Sequence, residues 1–197
     1  MLGSKSSAVN QLYWTVRNFV QEHYDKVVFV SRMGILLLSW KVIFHFVWHN
    51  QALLDGYNAI SLDVIGVILS SCGFLFELFQ FEIEIETLPR IIRLKDTIGV
   101  TVGEPCIGYE VTAFFAALII SYKGSILKKL WFIPLGMTII YVLNIIRICA
   151  LALLVTINQQ IWELNHKLVF TVVVYSAIFL MWRLWIKLNI NDVLKVN

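Results

Sequence analysis

The chain has 197 residues, of which 59% are hydrophobic and only 15% are charged. Soluble globular domains contain about 25% charged residues, so the composition excludes an ordinary soluble domain and indicates a protein of the lipid bilayer. The net charge of +3 is not gathered in a basic patch with interleaved aromatic residues. No nucleic-acid partner is therefore expected.

Long apolar runs predict four membrane-spanning helices. The first follows a cytoplasmic or interfacial N-terminal segment, and the last precedes a cytoplasmic tail. The second span has about 17 residues, which is near the lower limit for crossing a bilayer. In chain order, the N-terminal segment, the four spans and the tail are residues 1–26, 27–48, 106–122, 130–157, 168–186 and 189–197.

Residues 58–105 are predicted to lie outside the bilayer. They include a fifth apolar run at 59–79, but Cys72-Gly73 interrupts it, and we predict a surface helix over 58–71. After the interruption apolar and polar residues alternate, as in a half-buried strand. A second extended stretch at 91–102 would complete a two-stranded ribbon, which cannot face lipid. The alternation places Phe79, Phe81, Ile83 and Ile85 on one side and Gln80, Glu82, Glu84 and Glu86 on the other.

Basic residues indicate which ends of the spans face the cytoplasm. They precede the first span, crowd the loop at 123–129 and follow the last span. The positive-inside rule places all three groups in the cytoplasm, which agrees with four spans. We therefore predict an all-α membrane protein of the cytoplasmic (inner) membrane, with an interfacial helix, a small extracytoplasmic β-ribbon and a three-span core at 106–188.

Three polar residues are expected at one depth in the outer part of the bilayer. Cys106 opens the second span, where the positive end of a helix dipole favours the thiolate. Arg147 lies about 25 Å along the third span, at about 1.5 Å per residue. An arginine at that depth needs a partner or a polar cavity. His166 begins the fourth span, again at its outer end.

This set of side chains is suited to acyl transfer from a peptide. A thiolate attacks a carbonyl, a histidine transfers the proton to the leaving amine, and a fixed cation stabilises the oxyanion or the thiolate. Cys106, His166 and Arg147 are predicted to fill these three roles. Asn144, one turn before Arg147 on the same helix face, and Glu104 are supporting candidates. The chemistry requires neither a metal nor a cofactor.

Non-catalytic interpretations stand beside this prediction. The chain can be a membrane transporter or an assembly subunit in which Arg147 pairs with an anionic substrate or a partner's carboxylate. It can also be a pseudo-enzyme that binds peptides without cutting them. His45 and His49 have a spacing that can bind a metal, but no further ligand completes a site. Cys72 and Cys149 are expected to be core residues.

The motifs around these residues resemble those of the exosortase/archaeosortase family. They are Glu104-Pro105-Cys106-Ile107-Gly108, Asn144-Ile145-Ile146-Arg147-Ile148 and the downstream His166. In that family a Glu-x-Cys-x-Gly cysteine, an Asn-x-x-Arg arginine and a histidine form the proposed site, so Gly108 joins the supporting residues. The resemblance covers residues 60–188 and is closest to the short exosortases of Bacteroidota, such as the F type.

The resemblance implies a membrane-embedded cysteine protease or transpeptidase with its site on the extracytoplasmic side. Its substrates would be exported proteins that end in a short motif, a transmembrane helix and a basic cluster. The enzyme would cleave near the motif and pass the protein to an acceptor, either a lipid or a saccharide. The sorting-signal helix, this acceptor and the lipid bilayer are the expected partners.

Overall fold

The computed structural model describes residues 21, 23–86, 90–95, 97, 99–157 and 170–194. Within these residues the chain is almost entirely helical, with one small sheet, and it is an all-α membrane protein as predicted. The elements are α1 (Tyr24–His49), α2 (Gln51–Leu78), β1 (Ile83–Glu86), β2 (Ile91–Leu94), β3 (Val100–Thr101), a 3₁₀ helix (Glu104–Cys106), α3 (Tyr109–Ser121), α4 (Ile126–Ile157) and α5 (Phe170–Leu194).

Four helices in the described part of the chain are long and apolar enough to cross a bilayer. They are Tyr24–His49, Gln51–Leu78, Ile126–Val155 and Phe170–Asn189. Four spans were also predicted from the sequence, but one of the four helices is not the predicted one. The predicted span at 106–122 is the 13-residue helix α3, which is only about 20 Å long. The 28-residue α2 takes its place among the candidates.

Helix α2 corrects the prediction of a surface helix that ends at residue 71. It runs without a break through Cys72 and Gly73 to Leu78. Gly73 does not interrupt the helix; it lies where the sheet packs on it, because an added Cβ would come within 2.9 Å of the Ile85 side chain and 3.6 Å of Ile83. The glycine therefore provides room for a close contact between helix and sheet.

The sheet has three antiparallel strands in the order β1-β2-β3, which corrects the predicted two-stranded ribbon. The expected second strand at 91–102 is divided into β2 and β3, and Gly99 between them has a positive φ of 77°. Glu84 and Glu86, on the polar side of β1, pair across the strands with Arg93 at 2.7 and 2.6 Å. The hydrogen bond that the Arg93 guanidinium donates to the Glu84 carboxylate raises the pKa of Arg93.

A single residue separates α1 from α2. The Asn50 side chain accepts a hydrogen bond from the Leu53 amide at 3.4 Å, which caps the start of α2. Lys41 of α1 pairs with Glu110 of α3 at 2.6 Å. None of the residues of α1 is buried, so this helix lies at the periphery of the bundle.

Helices α3 and α4 form a tight hairpin. The Lys129 ammonium donates to the carbonyl oxygens of Ile120 and Tyr122, both at 2.7 Å, and so satisfies orphan groups at the end of α3. Deeper in the hairpin, Gly136 lies directly against the ring of Phe115, where a Cβ atom would overlap it. The small residue thus lets the two helices approach closely.

Among the described residues, the buried apolar side chains form two clusters. The second cluster contains Phe115, Phe132 and Trp185 and joins α3, α4 and α5. The first, here called the site cluster, joins α2, the sheet and α4 and includes both Cys106 and Cys72. The turn that carries the predicted nucleophile is therefore held within packed apolar structure.

Candidate functional site

Cys106 ends a short 3₁₀ turn, Glu104–Cys106, ahead of α3. The turn is closed by hydrogen bonds from the Cys106 amide to the Gly103 carbonyl at 2.9 Å and from the Ile107 amide to the Glu104 carbonyl at 3.0 Å. This corrects the prediction that Cys106 itself opens a helix, since α3 begins at Tyr109. The cysteine is 8% exposed, so a small part of its surface stays accessible.

Asn144 connects the cysteine turn to α4. Its Nδ2 donates a hydrogen bond to the Ile107 carbonyl at 3.3 Å, and Asn144 is buried at 4% exposure. Gly108, which follows Ile107 in the chain, has a φ of +79°, and a Cβ there would overlap the Asn144 amide. The Cys-x-Gly and Asn-x-x-Arg segments, 36 to 41 residues apart in the chain, are therefore in direct contact.

Arg147 lies one turn after Asn144 and faces the beginning of α5. Its guanidinium carbon is 5.9 Å from the centre of the Phe170 ring, which is the geometry of a cation–π contact. Its Nε is buried and has no hydrogen-bond partner among the described residues. The site cluster includes Cys106, and Phe170 packs against that cluster. Arg147 and Cys106 thus border the same packed region.

His166 lies outside the described residues. The first described residue of α5 is Phe170, four positions further along the sequence. The expectation that His166 joins the site remains a prediction from the sequence.

Glu104 lies at the edge of a separate pocket of about 350 Å³. The pocket is also lined by Gly108, Tyr57 and Glu110. The carboxylates of Glu104 and Glu110 give this pocket an acidic lining beside the cysteine turn. Its position in one pocket with Gly108, another predicted supporting residue, is compatible with a supporting role for Glu104.

Two tyrosines near the site were not identified from the sequence. The hydroxyl groups of Tyr109 and Tyr141 are buried and have no hydrogen-bond partner among the described residues. Both side chains pack against the site cluster. Their positions in the sequence could have indicated a place near the site, because Tyr109 follows Gly108 and Tyr141 is one helical turn before Asn144. With the Arg147 Nε, they provide unpaired donors around the cysteine turn.

The other two cysteines form a pair that the sequence did not indicate. The side chains of Cys72 in α2 and Cys149 in α4 lie within interaction range of each other, and the Cys72 thiol donates a hydrogen bond to the Ile145 carbonyl oxygen at 3.6 Å. Cys72 is completely buried and Cys149 packs against the site cluster. Cys72 is a core residue, as predicted, whereas Cys149 is half-buried at the edge of that cluster. Their contact joins α2 to α4.

A large groove runs between α2 and α4. Its volume is about 890 Å³, and its walls come from positions 62–75 of α2 and 142–146 of α4. A long stretch of α2 faces a short stretch of α4, as in helices that cross at an angle. Ile145 and Ile146, the two residues between Asn144 and Arg147, line this groove.

The remaining candidate site is the histidine pair of α1. The His49 Nδ1 lies 2.8 Å from the His45 carbonyl oxygen, and the two rings are 4.1 Å apart. Among the described residues there is no group of three or more histidine, cysteine, aspartate or glutamate side chains that could hold a metal ion.

Comparison with known proteins gives one match. The model of the family described as Transmembrane exosortase (Exosortase_EpsH) matches residues 27–183. This span includes the cysteine turn, Asn144, Arg147 and His166. No curated protein and no solved structure matches the chain.

Proposed function

Because the chain belongs to the transmembrane exosortase family, we propose that it is a membrane-embedded cysteine peptidase or transpeptidase that cleaves C-terminal sorting signals of exported proteins. The observation that carries this proposal is the contact between the cysteine turn and Asn144 at 3.3 Å. It fixes the position of Cys106 relative to the helix that bears Arg147. A nucleophile held against an element that carries a half-buried cation is suited to acyl transfer.

Cys106 is the proposed nucleophile. Its thiolate attacks the carbonyl carbon of the scissile peptide, and a carbon–sulfur bond forms as the carbonyl oxygen becomes an oxyanion. Collapse of this intermediate breaks the carbon–nitrogen bond and leaves a thioester on Cys106, while the leaving amine takes a proton. Water then releases the acid, or an acceptor hydroxyl or amine takes the acyl group and restores the thiol.

Arg147 is the proposed cation for the oxyanion or the thiolate. Its charge is fixed by packing against Phe170, and its Nε has no partner among the described residues. A buried, unpaired donor is unfavourable in the free protein but is available to charge that develops on a bound peptide. Such preorganised donors are the main source of transition-state stabilisation in acyl transfer.

His166 is the proposed acid and base. In the sequence it precedes Phe170 by four residues, and Phe170 is the residue on which the Arg147 guanidinium packs. This proximity along the chain supports a position near Arg147. The imidazole would accept the thiol proton and then deliver it to the leaving amine.

The groove between α2 and α4 is the proposed binding surface for the transmembrane helix of the substrate. Gly66 lines it and has open space around its Cα. Ser70 and Ser71 also line the groove, and their hydroxyls are already bonded to the Gly66 and Val67 carbonyls at 2.9 and 2.7 Å. A face of small residues lets a second helix approach closely in lipid.

The distribution of charge supports a site on the extracytoplasmic side of the cytoplasmic membrane. The cysteine turn precedes α3, and Lys123, Lys128 and Lys129 follow it at the other end. The 13 residues of α3 separate these ends by about 20 Å. Lys123 after α3 pairs with Asp25 at the start of the candidate span α1, whereas Glu110 at the start of α3 pairs with Lys41 further along α1. Since the basic start of α1 is expected in the cytoplasm, Cys106 would lie toward the outside.

Cleavage of a reporter in cells tests the proposed function. The reporter is an exported protein that ends in a short polar motif, a transmembrane helix and a basic cluster, co-expressed with wild type or with Cys106→Ala. We expect a shortened reporter with wild type and a loss of about a thousandfold or more with Cys106→Ala. Cys149→Ala is the matched control, because it also removes one thiol from the site cluster and should retain cleavage.

Two results would contradict the proposal. Full cleavage of the reporter by the Cys106→Ala variant would exclude Cys106 as the nucleophile. Equal loss in both cysteine variants, with normal amounts of each protein in the membrane, would assign the thiols a structural role. If the reporter stayed intact with wild type but bound to it in an Arg147-dependent way, the protein would be a binding subunit instead.

A further inference from the structure

A second cleft lies at the basic end of the bundle, far from the cysteine turn. Its volume is about 450 Å³. It is formed by the first two turns of α1, the end of α3 and the second half of α5, and its floor is aromatic. The ring of Tyr122 is 5.8 Å from Phe29 and 6.2 Å from Trp182, both edge to face.

The lining carries an excess of positive charge. Among the described residues that line the cleft, Lys26, Arg32 and Lys123 are cationic and Asp25 is the one carboxylate. Lys123 pairs with that carboxylate at 2.8 Å. Within the described part of the chain, the charges of Lys26 and Arg32 have no carboxylate partner. Arg32 also lies within electrostatic range of a further cation, Lys129, so among the described residues these cations are not balanced by nearby carboxylates.

Two uncharged donors in the cleft also lack partners. The Ser121 hydroxyl and the Trp182 indole Nε1 are buried without a hydrogen-bond partner among the described residues. Ser121 is 3% exposed, and both residues line the cleft. Buried polar groups are normally paired, so these two donors point to an acceptor that binds beside the cations.

We propose that this cleft binds the phosphate group of an anionic glycerophospholipid. Arginine and lysine would hold the phosphate oxygens, and the serine and indole donors would complete the coordination. Phe29, Val30 and Ile186, which also line the cleft, offer apolar surface to the first segments of the acyl chains. The basic end is the one expected at the cytoplasmic leaflet, where anionic lipids attract basic residues.

The bound lipid would join α1 to the rest of the bundle. Helix α1 has no buried residue, and the cleft has residues of α1 on one wall and residues of α5 on another. A phosphate contacted from both walls would connect α1 with α5, beside the ion pairs that already connect α1 with Glu110 and Lys123. This inference does not depend on the proposed enzymatic function.

Lipid binding to the purified full-length protein in detergent tests the proposal. Thermal unfolding and retention of lipid in native mass spectrometry would be measured with phosphatidylglycerol, phosphatidylcholine and inorganic phosphate. We expect phosphatidylglycerol to be retained and to raise the unfolding midpoint, with little effect of phosphatidylcholine. A similar effect of inorganic phosphate at the same concentration would identify a soluble phosphate as the ligand and overturn the lipid assignment.

Paired substitutions locate the binding. The double variant Lys26→Gln and Arg32→Gln should bind phosphatidylglycerol with an apparent affinity about tenfold weaker or more. Arg183→Gln with Lys187→Gln removes the same charge from the same end, outside the cleft lining, and should leave affinity nearly unchanged. Equal losses in the two double variants would show general surface attraction and overturn the proposal.

Ser121→Ala keeps every charge and tests the cleft where the first double variant does not fold. We expect it to weaken phosphatidylglycerol binding several-fold while leaving the weak response to phosphatidylcholine unchanged. Unchanged phosphatidylglycerol affinity in Ser121→Ala would remove the buried hydroxyl from the site and contradict the proposed coordination.

Discussion

The side-chain amide of Asn144 donates a hydrogen bond to the backbone carbonyl of Ile107 at 3.3 Å. Ile107 follows Cys106, and Asn144 lies one helical turn before Arg147. One buried bond between a side chain and a turn therefore connects the two segments that carry the proposed nucleophile and cation. The left-handed Gly108 allows this contact, because any Cβ at that position would overlap the amide.

Replacing Gly108 with alanine should disrupt this connection. A left-handed conformation costs alanine about 1–2 kcal/mol, and the added methyl group displaces the Asn144 amide. We expect Gly108→Ala to lower reporter cleavage at least about tenfold. Gly56→Ala is the control, because Gly56 lies in α2 with open space around it and alanine there favours the helix. Equal cleavage by the two variants would show that the contact is not needed.

Replacing Arg147 should affect the reaction more than the fold. Removing one oxyanion donor typically costs about 10²–10³ in rate, so we expect Arg147→Met to lose cleavage by that factor. Arg147→Lys retains the charge and should recover part of the activity.

Alkylation of Cys106 by a small neutral reagent provides a second readout of Arg147. It would be measured in a protein in which Cys72 and Cys149 are replaced by alanine. If replacing Arg147 lowers the cleavage rate but leaves the alkylation rate of Cys106 unchanged, Arg147 stabilises the oxyanion and not the thiolate.

Filling the groove between α2 and α4 should block the substrate helix. Gly66→Leu places a large side chain at an open position in that groove without displacing a neighbour. We expect reporter cleavage to fall about tenfold or more, while the amount of protein in the membrane stays normal. Gly34→Leu makes the same exchange at an open position of α1 and should be active. Normal cleavage by Gly66→Leu would place the substrate helix elsewhere.

Enlarging Gly136 should destabilise the hairpin of α3 and α4. Because the Phe115 ring occupies the space of a Cβ at this position, Gly136→Ala forces two packed helices apart, at a cost of about 1–3 kcal/mol. Thermal unfolding of the purified protein in detergent would show a lower midpoint than wild type. Gly34→Ala, at an open position, should leave the midpoint unchanged or slightly higher. An unchanged midpoint for Gly136→Ala would contradict the packing described.

Several features could be predicted because they depend on local sequence. The apolar runs predicted a helical membrane protein with about four spans, since burying a backbone in lipid requires helices of about 20 residues. The alternation after Gln80 predicted strand β1, and the spacing of Asn144 and Arg147 placed them on one helix face. The motifs around Cys106 and Arg147 also indicated the exosortase family, which the family match at residues 27–183 confirms.

Only the tertiary structure decided which residues meet. The sequence predicts an interruption of the helix at Gly73, but in the structure Gly73 is the point where Ile85 packs on α2. The pairing of Cys72 with Cys149 and the contact of Asn144 with Ile107 join residues that are 77 and 37 positions apart. The physical reason is that helix and strand formation follow the periodicity of neighbouring residues, whereas these contacts depend on how helices pack, which no short segment of the sequence contains.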